Sequence, residues 1–421
     1  MPVSFVASKE YALEMDQADP LFSFRSRFLI PKLEGRDVHY FCGNSLGLQP
    51  QSVRYLMQQE LEDWAHYGVE GHFDARRPWF SYHQLFSERL SQLVGASKEE
   101  VVAMNSLTVN LHLLMASFYR PTAQRYKIIM EAGAFPSDQY AMESQARFHG
   151  LDPADAIIEV SPRPGAHLLE EEDILVAIEA AGDTLALVLI GGVNYYTGQY
   201  FNLKDITAAA HRAGAYAGFD LAHAIGNVPL KLREWDVDFA CWCSYKYLNS
   251  GPGGVGGAYV HIKHASNPNL VRLAGWWGND EQTRFKMEKG FVPKPTAESW
   301  QLSNAPVFNM VAHHAALDIF EKAGMDALQE KSRHLTGYLE FLLRQIKHLN
   351  FTILTPAEPE RRGAQLSLLF HENGRQVFDA LSKAGIVADW REPDVIRVAP
   401  VPLYNTYEDA YALYEAMLQI S

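Results

Sequence analysis

Between residues 101 and 262, short apolar runs of strand character alternate with helical segments, and this alternation constrains the fold more than any other feature. Candidate strands are Val101–Met104, Lys127–Glu131, Ala186–Ile190, Ala215–Phe219, Phe239–Cys243 and Ala258–Ile262. Helices at Glu171–Ala181 and Leu203–Ala213 lie between them, each followed by a glycine. Strands without a polar face, interleaved with helices, predict an α/β fold with a large, mostly parallel sheet covered on both sides. Ligands in such sheets gather beyond the carboxyl ends of the strands.

The pattern changes after Pro306. Helices are expected at Val307–Ala323, Met325–Leu349, Gln376–Ala384 and Tyr407–Leu418, with strands at Phe351–Leu354, Gln365–Phe370 and Ile396–Ala399. These divide the chain into a large domain at 66–305 and a smaller C-terminal α/β domain at 306–421, with segment 1–65 packing on the small domain. Within that segment, Pro50–Trp64 reads as an amphipathic helix with Val53, Leu56, Leu61 and Trp64 on its apolar face.

Composition excludes several functions. A net charge of -13 disfavours nucleic acid as a partner. Three cysteines, Cys42, Cys241 and Cys243, make no disulfide framework, and Cys241-Trp-Cys243 lacks the spacing of a structural zinc site. No metal site is expected. The apolar stretch at Leu185–Val193 is too short to cross a bilayer, and the N-terminus has early acids instead of a secretory core, so a cytoplasmic protein is expected.

Two residues ending successive strands suggest chemistry. Asp220 closes Tyr216-Ala-Gly-Phe-Asp220, and Lys246 follows the next strand in Cys243-Ser-Tyr245-Lys246-Tyr247-Leu-Asn249. Alone, the acid reads as a loop cap and the lysine as a side chain reaching for water. Together they place a carboxylate and an amine at one cleft. Pyridoxal phosphate needs this pair, because its aldehyde condenses with a lysine and its ring nitrogen must stay protonated to draw electrons. Apolar surroundings would favour attack by the amine.

The glycine run at 251–257 follows the lysine and lacks the Gly-Lys-Ser/Thr ending of a P-loop, so it reads as a turn. A better phosphate cradle is Asn105-Ser106-Leu107-Thr108, at a helix start whose free amides attract an anion; the alternative is a routine N-cap. Phe135-Pro136-Ser137-Asp138 is good helix-start chemistry with or without a ligand. In a cofactor cleft, Phe135 would stack on the ring and Asp138 would accept a hydrogen bond. Tyr195 and Tyr196 fit the cleft and the core equally well.

Six ordered segments resemble the kynureninases: Phe41-Cys-Gly-Asn44-Ser45-Leu-Gly47-Leu-Gln-Pro50, Leu107-Thr108-Val-Asn110-Leu-His112, Phe135-Pro-Ser-Asp138, Phe219-Asp220-Leu-Ala-His223, Cys241-Trp-Cys-Ser-Tyr245-Lys246-Tyr247-Leu-Asn249 and Ile396-Arg397-Val-Ala-Pro-Val-Pro-Leu-Tyr404-Asn405. The similarity spans nearly the whole chain. It implies an aspartate-aminotransferase-like fold of type I and hydrolytic Cβ–Cγ cleavage of kynurenine or 3-hydroxykynurenine. The products would be L-alanine and anthranilate or 3-hydroxyanthranilate, in tryptophan catabolism and NAD biosynthesis.

By matching position, the resemblance makes Lys246 the Schiff-base lysine and Asp220 the partner of the ring nitrogen. Leu107 and Thr108 would hold the phosphate, and Phe135 and Asp138 would contact the ring. His223, Tyr245, Trp276 and Asn304 would complete the cofactor site, with Tyr245 also moving protons. Gly191 departs from relatives that carry Ser, which removes one side-chain contact. Arg397 would take the substrate carboxylate through its fork. Ser45, His72 and Asn304 would meet the aromatic end, and their polar groups favour the 3-hydroxy substrate. The family's site lies at a homodimer interface, so each subunit would complete the other's pocket. The rival readings are an aminotransferase, a cysteine desulfurase, and a binding protein that keeps the fold without turnover. Cys241 and Cys243, in an apolar strand, argue against a desulfurase's mobile nucleophile.

Overall fold

The computed structural model describes residues 5–420. Its main sheet has seven strands: β1 Val101–Ala103, β2 Lys127–Glu131, β3 Ile157–Val160, β4 Leu185–Gly191, β5 Tyr216–Asp220, β6 Phe239–Cys243 and β7 Gly256–Val260. Their spatial order is β1-β7-β6-β5-β4-β2-β3, and β7 alone runs against the rest. The sheet is mostly parallel, as the alternation predicts.

Successive side chains point to opposite faces, and both faces are dry. In β6, Ala240 and Trp242 join a core that includes Ile174, Ile206 and Phe320. Phe239 and Cys241, from the other face, join Leu111, Leu114 and Met142. Helices Glu171–Ala181 and Leu203–Arg212 end where Gly182 (φ +48°) and Gly214 (φ +73°) take left-handed backbone that a side chain would resist.

The predicted strand Ala258–Ile262 is shifted toward the N-terminus. Gly256 and Gly257 join β7 because a Cβ on Gly257 would lie 2.4 Å from the Trp242 indole. The strand stops at Val260 because the side chain of His261 accepts from Lys263 N (3.1 Å) and starts a helical turn.

A second sheet holds four strands in the order β8-β9-β11-β10: β8 Phe351–Ile353, β9 Leu366–Phe370, β10 Asp389–Arg391 and β11 Val395–Val398, all antiparallel. Its core packs on Met325–Gln345 and Tyr407–Leu418. The N-terminal segment reaches this layer: His39–Tyr40 pairs with Ile386–Val387, and Arg25 forms an ion pair with Asp409 at 2.8 Å.

The helix expected at Pro50–Trp64 runs Val53–Tyr67, and the expected apolar face turns inward only in its first half, where Val53 and Leu56 are half-buried. Glu60 and Asp63 are buried, while Leu61 and Trp64 stay exposed at 43% and 58%. Glu60 is satisfied by Arg77 Nε (2.6 Å), Trp79 Nε1 (3.1 Å) and Tyr82 OH (3.1 Å), which makes burial of a carboxylate tolerable. No helix among the described residues is long and apolar enough to cross a membrane.

Candidate active site

The carboxyl ends of β2, β4, β5 and β6 place Glu131, Gly191, Asp220 and Cys243 along one rim. A single pocket there is lined by Leu107, Thr108, Phe135, Asp138, Asp220, His223, Tyr245 and Lys246, all singled out from sequence. Lys246 and Asp220 therefore share a cavity. Lys246 Nζ lies 3.0 Å from His223 Nε2 and 5.8 Å from the centre of the Phe135 ring. Burial, then Lys246, then Arg397 and Arg391 hold His223 well below its ordinary pKa. A neutral His223 can accept a hydrogen bond from the lysine.

Two buried aspartates form the pocket's acidic end. Burial raises both, and their mutual hydrogen bond raises Asp138 further while lowering Asp220. Ala222 N donates to Asp220 Oδ1 at 2.6 Å, a contact that favours the charged form of Asp220. Asp138 Oδ1 and His223 Nδ1 are buried with no partner.

At the opposite end, Leu107 and Thr108 open the helix Leu107–Phe118. Ser106 occupies the N-cap position but makes no capping bond with its side chain, leaving the first-turn amides available to an anion. Thr108 Oγ1 meets Ser137 Oγ at 2.7 Å. An anion seat, an aromatic face, a lysine and a carboxylate thus line one cavity, and unpartnered polar atoms remain in it. These residues fit pyridoxal phosphate.

Some residues were missed in the sequence. Glu131 accepts from Gly191 N with both carboxylate oxygens (3.2 and 3.1 Å), and burial raises its pKa to about 7. A Cβ on Gly191 would stand 3.0 Å from Glu131 Oε1. An acid ending an apolar strand is the signal that exposed Asp220, and it was equally present here. Ser137 and Cys243 also line the pocket, as does Tyr195, for which cleft and core stood equal in the sequence; its ring is set edge-on to Phe135 at 5.2 Å.

Arg397, on β11, is fully buried and donates from Nη1 to Tyr195 O at 2.6 Å, which links it to the pocket wall. Ser45 lies in a loop seated on the lysine segment. Gly47 N donates to Tyr245 O at 2.8 Å, and a Cβ on Gly47 would come within 2.3 Å of Lys246 O. The remaining predicted residues are elsewhere. His72 and Asn304 line a separate apolar pocket with Trp64, Trp79 and Phe308. Trp276 is 47% exposed and donates from its indole to Arg284 O at 3.1 Å. Within one chain these three do not line the cavity that holds Lys246.

Residues 328–417 match the family model for the kynureninase C-terminal domain. The kynureninase of Flavobacterium johnsoniae is 53% identical to this chain, covering 97% of each. That of Koribacter versatilis is 54% identical, covering 97% of this chain and 96% of its own. Among solved structures, the cysteine desulfurase CsdA from Escherichia coli superposes with a TM-score of 0.75, covering 94% of this chain and 97% of its own. At 20% identity that likeness is one of fold alone, and it makes this a fold-type-I architecture. The desulfurase alternative thus has the backbone without the sequence, whereas the kynureninases share both the length and half of the residues. The chain belongs to the kynureninase family, pyridoxal-phosphate-dependent hydrolases of carbon–carbon bonds in ketonic substrates.

Proposed function

We propose that this protein cleaves the Cβ–Cγ bond of L-kynurenine and 3-hydroxy-L-kynurenine, with Lys246 and Asp220 at the centre of the chemistry. The observation that carries this reading is the shared cavity of those two side chains, with an anion seat at its other end. Pyridoxal phosphate, when bound, supplies a carbonyl and an electron-accepting ring. Leu107 and Thr108 would hold the phosphate at the helix start, and Phe135 would contact the ring. Asp220 would keep the ring nitrogen protonated, with Asp138 beside it at the acidic end of the cavity. Lys246 would take up and deliver protons at the substrate's Cα, and neutral His223 beside it takes no charge from the amine. Arg397 orients the substrate carboxylate, and the Tyr245 phenol, kept protonated by burial, serves the carbonyl and β-carbon as a proton donor.

We further infer a homodimer in which His72, Asn304 and Trp276 serve the neighbouring subunit's Lys246. Exposed Trp64, Phe73, Trp276 and Phe285 give one chain a large apolar surface to cover. His72 and Asn304 would then hydrogen-bond the 3-hydroxyl and favour the hydroxylated substrate. Packing of the N-terminal segment on the smaller domain is supported by the pairing of His39–Tyr40 with Ile386–Val387. Free Cys42, Cys241 and Cys243 suit the reducing cytoplasm.

The test is a product assay on both substrates with added pyridoxal phosphate. Equimolar alanine and anthranilate or 3-hydroxyanthranilate without added keto acid is expected. Transamination, or cofactor absorption without cleavage, overturns the proposal. Equal efficiency on the two substrates, or a preference for plain kynurenine, defeats the specificity claim alone.

A further inference from the structure

Arg397 alone does not account for attraction of an amino-acid carboxylate. It sits on β11 directly across from Asp389 on β10. Asp389 Oδ1 lies 3.2 Å from Arg397 Nε and 2.9 Å from Nη2. One carboxylate at this range cancels one guanidinium, so the pair presents no net charge to an incoming anion.

A second arginine restores it. Arg391 is two residues from Asp389 on the same strand, so both side chains project from one face. Arg391 Nε lies 3.0 Å from that same Asp389 Oδ1, and Nη2 donates to Oδ2 at 3.4 Å. Two guanidiniums around one carboxylate leave a single positive charge, matching one substrate carboxylate. Donor geometry points the same way. Arg397 Nη2 and Arg391 Nε are both buried, and neither aims its hydrogen at an acceptor despite its closeness to Asp389. Unspent buried donors are costly unless a ligand completes them. The two residues differ in access, since the Arg397 side chain is fully buried and that of Arg391 is 34% exposed. Both charges are felt at His223, which touches Lys246 Nζ.

We propose that Arg391 is the second arm of the carboxylate seat, sharing the substrate's α-carboxylate with Arg397, and that Asp389 positions both arginines. This rests on the reading of Arg397 as the carboxylate ligand. Asp389 holds the pair in register before substrate arrives, and the α-carboxylate then takes the donors that Asp389 leaves free.

The test uses holoenzyme carrying Arg391→Met, with Arg391→Lys as the charge-preserving variant. Steady-state kinetics on L-kynurenine should give a KM raised about tenfold for Arg391→Met, with kcat changed less than KM. Arg391→Lys should recover part of that loss. Binding of kynurenamine, the same skeleton without the carboxylate, is read from the perturbation of cofactor absorption and should match wild type in both variants. An unchanged KM overturns the proposal, and so does a loss of kynurenamine binding as large as the loss for kynurenine, which marks a merely structural arginine. If Arg391→Met does not fold, Arg391→Lys decides by the same two measurements. Failure of wild-type enzyme to release alanine from kynurenine overturns the underlying functional reading instead.

Discussion

Glu131 illustrates how a single buried carboxyl shapes this site. Its pKa is raised from 4.5 to about 7, chiefly by burial, so the fold favours its protonated form. A raised carboxyl contributes stability that is complete below pH 4.5 and fades as pH climbs to about 7. The stake is on the order of 3 kcal/mol. Glu131→Gln keeps an oxygen for Gly191 N and removes the titration. Its melting temperature relative to wild type should therefore be more favourable at pH 8 than at pH 5. A pH-independent difference would refute the shift. Lys246→Ala makes a second residue-scale prediction: loss of the lysine-linked cofactor absorption band together with turnover, measured by spectrophotometry and product assay.

Asp220 and Lys246 were legible because polar residues ending apolar strands stand out against their neighbours. Glu131 ended a strand in the same way and was passed over for want of a partner nearby in sequence. Asp389 and Arg391 could not be found that way, since their significance depends on register with β11, and register is a tertiary fact.

At the scale of elements, the main-sheet strands were readable because both faces are buried, which leaves continuous apolar runs. The helix Val53–Tyr67 departs from the expected pattern in its second half for a physical reason. Amphipathic periodicity reports that two faces differ, and the apolar face was assumed to meet its own chain. Here Glu60 shares the inward side with Val53 and Leu56 and is received by donors from Arg77, Trp79 and Tyr82, while Leu61 and Trp64 stay exposed. Glu60→Ala would leave the Arg77 guanidinium, only 16% exposed, with Gln59 but no charge partner, and should destabilise the protein by about 3 kcal/mol. Thermal or denaturant unfolding measures this. A change within experimental scatter would mean that the network is dispensable.

For the whole molecule, the separation of His72 and Asn304 from the Lys246 cavity makes a subunit-mixing experiment decisive. Lys246→Ala and a His72→Ala/Asn304→Ala double variant should each be nearly inactive alone. Reassembled together, mixed dimers would regain one intact site each, restoring about a quarter of wild-type activity under random pairing. No recovery would place all of these residues in service of their own chain. A shared site is inaccessible to local pattern reading, and only the resemblance carries that expectation.

One residue without any functional group has a consequence beyond packing. The hydrogen on the α-carbon of Gly47 faces the lysine segment, where a methyl would come within 2.3 Å of the Lys246 carbonyl oxygen. Even alanine would have to push aside the backbone that carries the reactive amine. A saturation library screened for turnover would therefore punish changes at position 47 as harshly as changes at the lysine, and this mutational intolerance would mimic the signature of a catalytic residue.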